Sequence, residues 1–192
     1  MRRFGILIIV GILAGCVSSH VAKVPEPAVM ASPQADKAVV VFMRPSSFGG
    51  AIQSSVYDVT DGQTSFISAG TKIAYSSDPG MRRFMVIGES ADFMDADLLA
   101  GKAYYALVRV RMGAWKARFS LAPLLATSPE LASYLNDTDW VENSPSASDW
   151  ARANMSSVKA KQAEYLPNWL QKPDKPRLKA EDGRLSGRQR RA

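Results

Sequence analysis

Tyr104-Tyr105-Ala106-Leu107-Val108-Arg109-Val110-Arg111-Met112-Gly113-Ala114-Trp115-Lys116-Ala117-Arg118-Phe119-Ser120-Leu121 alternates in character on both sides of a Gly-Ala pair. A period of two places successive side chains on opposite faces of a strand, and Gly at the midpoint supplies a turn. The segment is therefore predicted to be a hairpin. Tyr104, Ala106, Val108, Val110 and Met112 share its core side with Trp115, Ala117, Phe119 and Leu121. Its other side carries Arg109 and Arg111 on one arm and Lys116 and Arg118 on the other. A two-residue turn would pair Arg111 with Lys116 and Arg109 with Arg118.

The same short alternating runs fill the chain before the hairpin. Strands are expected at 38–43, 54–59, 64–68, 71–76, 83–87, 92–98, 104–112 and 115–121. Asp61-Gly62, Gly70, Pro79-Gly80 and Gly101-Lys102 separate them as turns. Val39-Val40-Val41-Phe42 is apolar on both faces and should be central. The expected fold is mainly β: an antiparallel β-sandwich of about seven or eight strands over 38–125. After Leu121 the pattern turns helical. Ser128-Pro129-Glu130 opens a helix at 129–135, and Ser148 caps another at 149–165 that Pro167 would end. These form a C-terminal helical extension over 126–170. Residues 171–192 hold eight Lys or Arg against Asp174, Glu181 and Asp182, with few apolar residues, and are expected to be a disordered basic tail.

The N-terminus is of another kind. Arg2 and Arg3 precede an apolar run from Phe4 to Ala14, which has the layout of a signal peptide over 1–15 and is too short to span a bilayer permanently. Leu13-Ala14-Gly15-Cys16 resembles the bacterial lipobox, so Cys16 is the expected lipidation site. Several acyl chains on one residue give an anchor that does not release. Residues 16–37, with Pro25, Pro27 and Pro33, would then form a flexible tether in which His20 is a solvated linker residue. Val17 is not the Asp that retains lipoproteins at the inner membrane. In a Gram-negative cell an outer-membrane position facing the periplasm is favoured.

Cys16 is the only cysteine and His20 the only histidine among 192 residues. A lipidated Cys16 leaves no thiol for a disulfide, nucleophile or metal site, and one histidine in a linker supports neither a triad nor a zinc centre. No catalytic residue, metal ligand or cofactor is assigned. Asp92, Asp95 and Asp97 lie on a predicted strand, where alternate side chains run parallel rather than wrapping a cation.

Several stretches carry a family resemblance. Val39-Val40-Val41-Phe42-Met43-Arg44-Pro45 with Phe48-Gly49-Gly50, then Asp61-Gly62, Gly70, Pro79-Gly80 and Leu98-Leu99-Ala100-Gly101-Lys102-Ala103-Tyr104-Tyr105 resemble the DUF2846 group of bacterial lipoproteins, which have PEGA-like β-domains. The resemblance covers about residues 38–121. It implies a β-sandwich in the cell envelope and brings no catalytic residues.

Arg109, Arg111, Lys116 and Arg118 form a candidate anion-binding patch, because like charges across strands repel and ask for anions. Those anions are either internal, with Asp95 and Asp97 on the same outer face, or external, in an anionic envelope polymer or lipid headgroup. The basic tail also fits lipid headgroups, and it lacks the interleaved aromatics that would stack on nucleic acid. Trp140, between Asp139 and Val141, is the tryptophan that core packing explains least. The expected function is a lipid-anchored cell-envelope protein with a non-catalytic binding or scaffolding β-domain, its partners the membrane, an anionic envelope component or another envelope protein. The alternative is a cell-wall polymer hydrolase using Asp or Glu as acid and base.

Overall fold

The computed structural model describes residues 20–24, 32–50, 52–113 and 117–185. Among these are twelve strands: β1 (Val21–Lys23), β2 (Ala38–Arg44), β3 (Ser54–Asp58), β4 (Thr64–Ile67), β5 (Thr71–Ser77), β6 (Gly80–Ile87), β7 (Ala91–Leu98), β8 (Lys102–Met112), β9 (Ala117–Leu124), β10 (Asp139–Asn143), β11 (Arg177–Leu178) and β12 (Arg184–Leu185). Two helices, α1 (Glu130–Asn136) and α2 (Pro145–Leu170), complete the set, with a 3₁₀ turn at Ala180–Asp182.

The strands form two sheets. One has the order β1-β10-β5-β2-β8-β12, with β9 also on β8; the other runs β11-β7-β6-β3-β4. Alternation decides what lies between them. Val40 and Phe42 of β2, Phe84 and Val86 of β6, Met94 and Ala96 of β7, and Tyr104, Ala106 and Val108 of β8 all face the space between the sheets and are buried there. The intervening residues of β2, Val39, Val41 and Met43, pack outward under Leu131 of α1. That is why β2 is apolar on both faces. On the opposite outer face, Tyr57, Met85 and Phe93 pack beneath Val158 and Trp169 of α2. Each sheet thus has one face in the shared core and part of the other under a helix.

The fold is mainly β and built from two sheets, but the expectation of antiparallel pairing throughout is corrected. β2 runs parallel to β8, β10 parallel to β5, and β11 parallel to β7. The β2–β8 connection makes the whole of β3 to β7 before returning beside β2, as a parallel pair requires a crossover. The expected seven or eight strands become twelve because four come from segments expected to be something else: β1 from the tether, β10 from the helical extension, and β11 and β12 from the tail.

The hairpin keeps its predicted core face from Tyr104 to Val110 and from Ala117 to Leu121, but Met112, expected on that face, is 79% exposed, Trp115 lies outside the described residues, and the cross-strand partners change. Arg111 lies opposite Arg118 and Arg109 opposite Ser120, where a two-residue turn had required Lys116 and Arg118. The pairing closes at Met112↔Ala117, so four residues connect the arms. A slip of two preserves which side chains face inward, whereas a slip of one would have exposed the core face.

The tail expectation is overturned over 171–185. Leu178 on β11 is 0% exposed and fills the core between the sheets. Beyond it the chain crosses to the other sheet, where β12 pairs antiparallel with the start of β8. The Ala180 carbonyl accepts from the Tyr104 hydroxyl at 3.2 Å and from Lys102 Nζ at 3.0 Å. Gly183 is required there, since a Cβ would stand 2.5 Å from Tyr104 Cζ. The segment is a strap joining the two sheets, held by one deeply buried leucine despite its polar composition. Residues 186–192 lie outside the described residues.

The tether expectation is likewise corrected over 20–24. β1 pairs with β10, the His20 carbonyl accepts from Ser144 N at 2.9 Å, and the His20 N–H donates to Gln53 Oε1 at 3.1 Å. The imidazole sits 4.9 Å from the Phe66 ring and 5.6 Å from Trp150, so His20 is a packed residue rather than a solvated linker. α2 is longer than the expected 149–165. It begins at Pro145 after Ser144 and runs through Pro167 to Leu170. Burial of Trp169 against Phe93, 5.6 Å between rings, holds the last turn in place beyond the proline.

Candidate functional site

Outward-facing Arg109 and Arg111 lie near the end of β8, and Arg118 lies on β9 across from Arg111. Two guanidiniums directly opposite each other destabilise a hairpin by a few tenths to about 1 kcal/mol unless an anion intervenes. Glu89 supplies one for Arg118, at 2.6 Å. Its backbone makes this approach through Gly88, where a Cβ would come 2.6 Å from the Ala117 carbonyl oxygen, and Glu89 N donates to that same oxygen at 3.0 Å.

Arg109 and Arg111 have no carboxylate within ion-pair distance among the described residues. The expected internal neutralisation by Asp95 and Asp97 fails on topology: their strand, β7, belongs to the other sheet. Asp95 is held there by Arg83, with Nε to Oδ1 at 2.6 Å and a second bond at 3.1 Å. Lys116 and Trp115 lie outside the described residues.

These arginines border an open cleft of about 650 Å³ between the hairpin, the start of β7 and the chain leaving α2. Arg109, Arg111, Arg118, Lys172 and Lys175 contribute five cations to its lining, and Asp92 and Asp174 contribute two carboxylates. Asp92 is partly committed elsewhere, accepting from Leu121 N at 3.3 Å and lying 3.3 Å from Lys172 Nζ. Lys175 Nζ caps the end of α2 by donating to the Leu170 and Lys172 carbonyls. Ser120, another lining residue, has an Oγ buried without a hydrogen-bond partner. The same two arginines border a second hollow of about 420 Å³ with Pro45, Ser46 and Tyr134. Exposed guanidiniums suit bidentate recognition of phosphate or carboxylate oxygens.

Sequence patterning found Arg109, Arg111 and Arg118 but not the two lysines beside them. Lys172 and Lys175 carry a signal only as part of the basic tail, and no local periodicity ties that tail to the hairpin. The strap brings them together, because β11 pairs with β7 and thereby carries Lys175 and Pro176 past β9.

Other groups of chemical interest are engaged in packing. The Tyr75 hydroxyl lies 3.0 Å from Asp58 Oδ2 and 2.9 Å from Asp61 Oδ2, with Arg82 at 3.7 and 3.8 Å from the same oxygens. Burial, then Asp58 and Asp61, push the Tyr75 hydroxyl pKa far up. This pair of carboxylates fastens a turn. Trp140 is half-buried beneath α1, with Lys72 Nζ 4.9 Å from its ring centroid. Burial lowers the Lys72 pKa, and its ammonium donates to the Leu135 and Thr138 carbonyls at the end of α1.

Among the described residues no group of three or more His, Cys, Asp or Glu is placed to hold a metal ion, and no helix is long and apolar enough to cross a membrane. Cys16 and the expected signal peptide lie outside the described residues. Comparison with known protein families, with curated proteins and with solved structures finds no match to the chain.

Proposed function

We propose that this chain is a lipid-anchored protein of the cell envelope, held to a membrane by acylation of Cys16, whose two-sheet domain is a non-catalytic module that binds an anionic envelope component at the Arg109–Arg111 cleft. The observation that carries the binding half is the pair of arginines with no carboxylate at ion-pair distance among the described residues, bordering a cleft to which Lys172 and Lys175 add positive charge. Phosphate and carboxylate groups are the chemistry that such a site recognises, whether borne by a lipid headgroup or by an acidic polymer. The anchoring half rests on Leu13-Ala14-Gly15-Cys16 after a short basic and apolar leader, and on the likeness of residues 38–121 to DUF2846 lipoproteins. Val17 after the acylated residue favours the outer membrane of a Gram-negative cell.

Two variants test the halves separately. Cys16→Ala abolishes labelling with radioactive palmitate, and persistent labelling would remove the anchor assignment. Arg109→Glu combined with Arg111→Glu weakens pull-down by an anionic glycolipid while leaving the thermal transition in place, since both residues are exposed. Equal retention by wild type and variant would show that the cleft is not the binding site.

A further inference from the structure

The corrected position of His20 changes what an anchor at Cys16 does. Val17, Ser18 and Ser19 alone separate the two residues. A chain advances at most about 3.6 Å per residue, so the Cα atoms of Cys16 and His20 are within about 14 Å of each other whatever path joins them. The headgroup layer on each side of the hydrocarbon is itself about 5–8 Å thick. A lipid on Cys16 therefore does not suspend the domain on a long leash. It draws the surface around His20 against the bilayer.

That surface is apolar where it needs to be. His20 is bound to Gln53, whose neighbour Ile52 is 42% exposed, and its ring touches Trp150, also partly exposed. Phe48, 51% exposed, belongs to the same connection between β2 and β3. The backbone carbonyls of both residues are held by one side chain. The fully buried Arg44 guanidinium donates to the Ile52, Phe48 and Gly49 carbonyls and lies 5.1 Å from the Phe119 ring centroid. Gly49 in turn lies against Val110, two residues before Met112, which is 79% exposed. Pro45 and Ser46, at the base of this connection, share a hollow with Arg109 and Arg111. Exposed large apolar side chains, and arginines with no carboxylate at ion-pair distance among the described residues, thus follow one another from His20 through the β2–β3 connection to the end of β8.

We infer that this stretch of surface, with Phe48, Ile52, Met112 and Trp150 as apolar contacts and Arg109 and Arg111 as headgroup contacts, docks on the bilayer that holds the Cys16 lipid. The inference rests on the lipid anchor proposed above and names the anionic ligand as the lipid phosphate of that same membrane. Apolar side chains enter the interface while flanking cations meet phosphates, the combination that holds peripheral proteins on anionic bilayers. Partly exposed tryptophan suits the headgroup level.

The experiment uses the full acylated chain, in which lipid blocks the only native thiol. Single cysteines replace Phe48 or Ile52, and Met81 or Leu99 at the opposite end of β6 and β7, each carrying an environment-sensitive fluorophore. Each protein is reconstituted in vesicles of phosphatidylcholine with or without phosphatidylglycerol, and quenching by acrylamide is measured. At positions 48 and 52 quenching should fall by about threefold or more on reconstitution, as for side chains about 5–10 Å into the interface. At 81 and 99 it should not change. Arg109→Glu with Arg111→Glu should reduce the protection in phosphatidylglycerol vesicles toward that in pure phosphatidylcholine. Equal quenching at 48, 52 and 99 in protein whose acylation is confirmed by mass spectrometry overturns the docking face and leaves the anchor standing. Protection that follows protein density rather than lipid assigns the face to a second copy of the chain and also overturns the inference. Absence of the acyl mass overturns the anchor itself.

Discussion

Replacement of Leu178 by alanine tests whether the basic C-terminal segment is part of the fold. Leu178 is 0% exposed and sits among residues of both sheets, including Met94, Ala96 and Tyr104. Leu→Ala at a fully buried site costs about 2–5 kcal/mol, through lost transfer energy and the cavity left behind. The middle of that range applies. β11 is a two-residue edge strand able to settle toward β7, which limits the cavity, while the Tyr104 and Lys102 bonds to Ala180 resist that movement. The expected loss is about 3 kcal/mol, which for a domain of this size lowers the midpoint of thermal unfolding by about 6–12 °C. Circular dichroism melts and urea titration measure both quantities. Leu185→Ala is the control: its side chain is 48% exposed, and the change should stay within about 0.5 kcal/mol. A Leu178→Ala loss below about 1 kcal/mol, or equal losses at the two positions, would show that the strap does not enter the core.

Three further outcomes follow from buried polar groups and close approaches. Gly183→Ala should destabilise by about 1–3 kcal/mol, because the added methyl group meets the buried Tyr104 ring; a neutral effect would contradict the strap's position. Arg44→Met should cost about 2–4 kcal/mol and raise the hydrogen-exchange rate of Ile52 N–H, which bonds to Gly49 O at 2.9 Å, since the carbonyls of the β2–β3 connection lose their donor; unchanged exchange would refute the bracing role. Tyr57, Tyr75, Tyr104 and Tyr105 all have hydroxyl pKa values raised, first by burial. Groups whose folded pKa is raised keep their contribution below the unfolded value of about 10 and lose it as pH rises through the folded value, so stability should fall above about pH 10. Tyr75→Phe should make that fall shallower while costing about 1–2 kcal/mol near neutral pH, and an unaltered slope in urea titrations would refute the Tyr75 contribution.

What could be read from the sequence depended on whether the signal was local. Side-chain parity along 104–121 placed Tyr104, Val108, Phe119 and Leu121 inside correctly, because a period of two is fixed by the strand itself. The same parity is blind to a register shift of two, so the partners of Arg109 and Arg111 were misassigned. Parallel pairing of β2 with β8 was invisible for a related reason: Val39 to Met43 carry nothing that selects a neighbour sixty residues away. Leu178 stands alone between Arg177 and Lys179, and a single apolar residue sets up no pattern that separates a core plug from a solvated tail. His20 misled in the same way, since its Gln53, Phe66 and Trp150 neighbours come from three distant segments. The arginine half of the cleft was legible as an excess of like charge on one strand face. Its lysine half depended on where the strap runs.

Photo-cross-linking in the intact envelope most directly tests whether the cleft holds an anionic component. A photo-activatable side chain at Ser120, on the cleft lining beside Arg109, should capture a phosphate- or carboxylate-bearing lipid or polymer, identified by the mass of the adduct. Arg109→Glu with Arg111→Glu should abolish that capture. No adduct, a neutral adduct, or capture that persists in the charge-reversed variant would contradict the account.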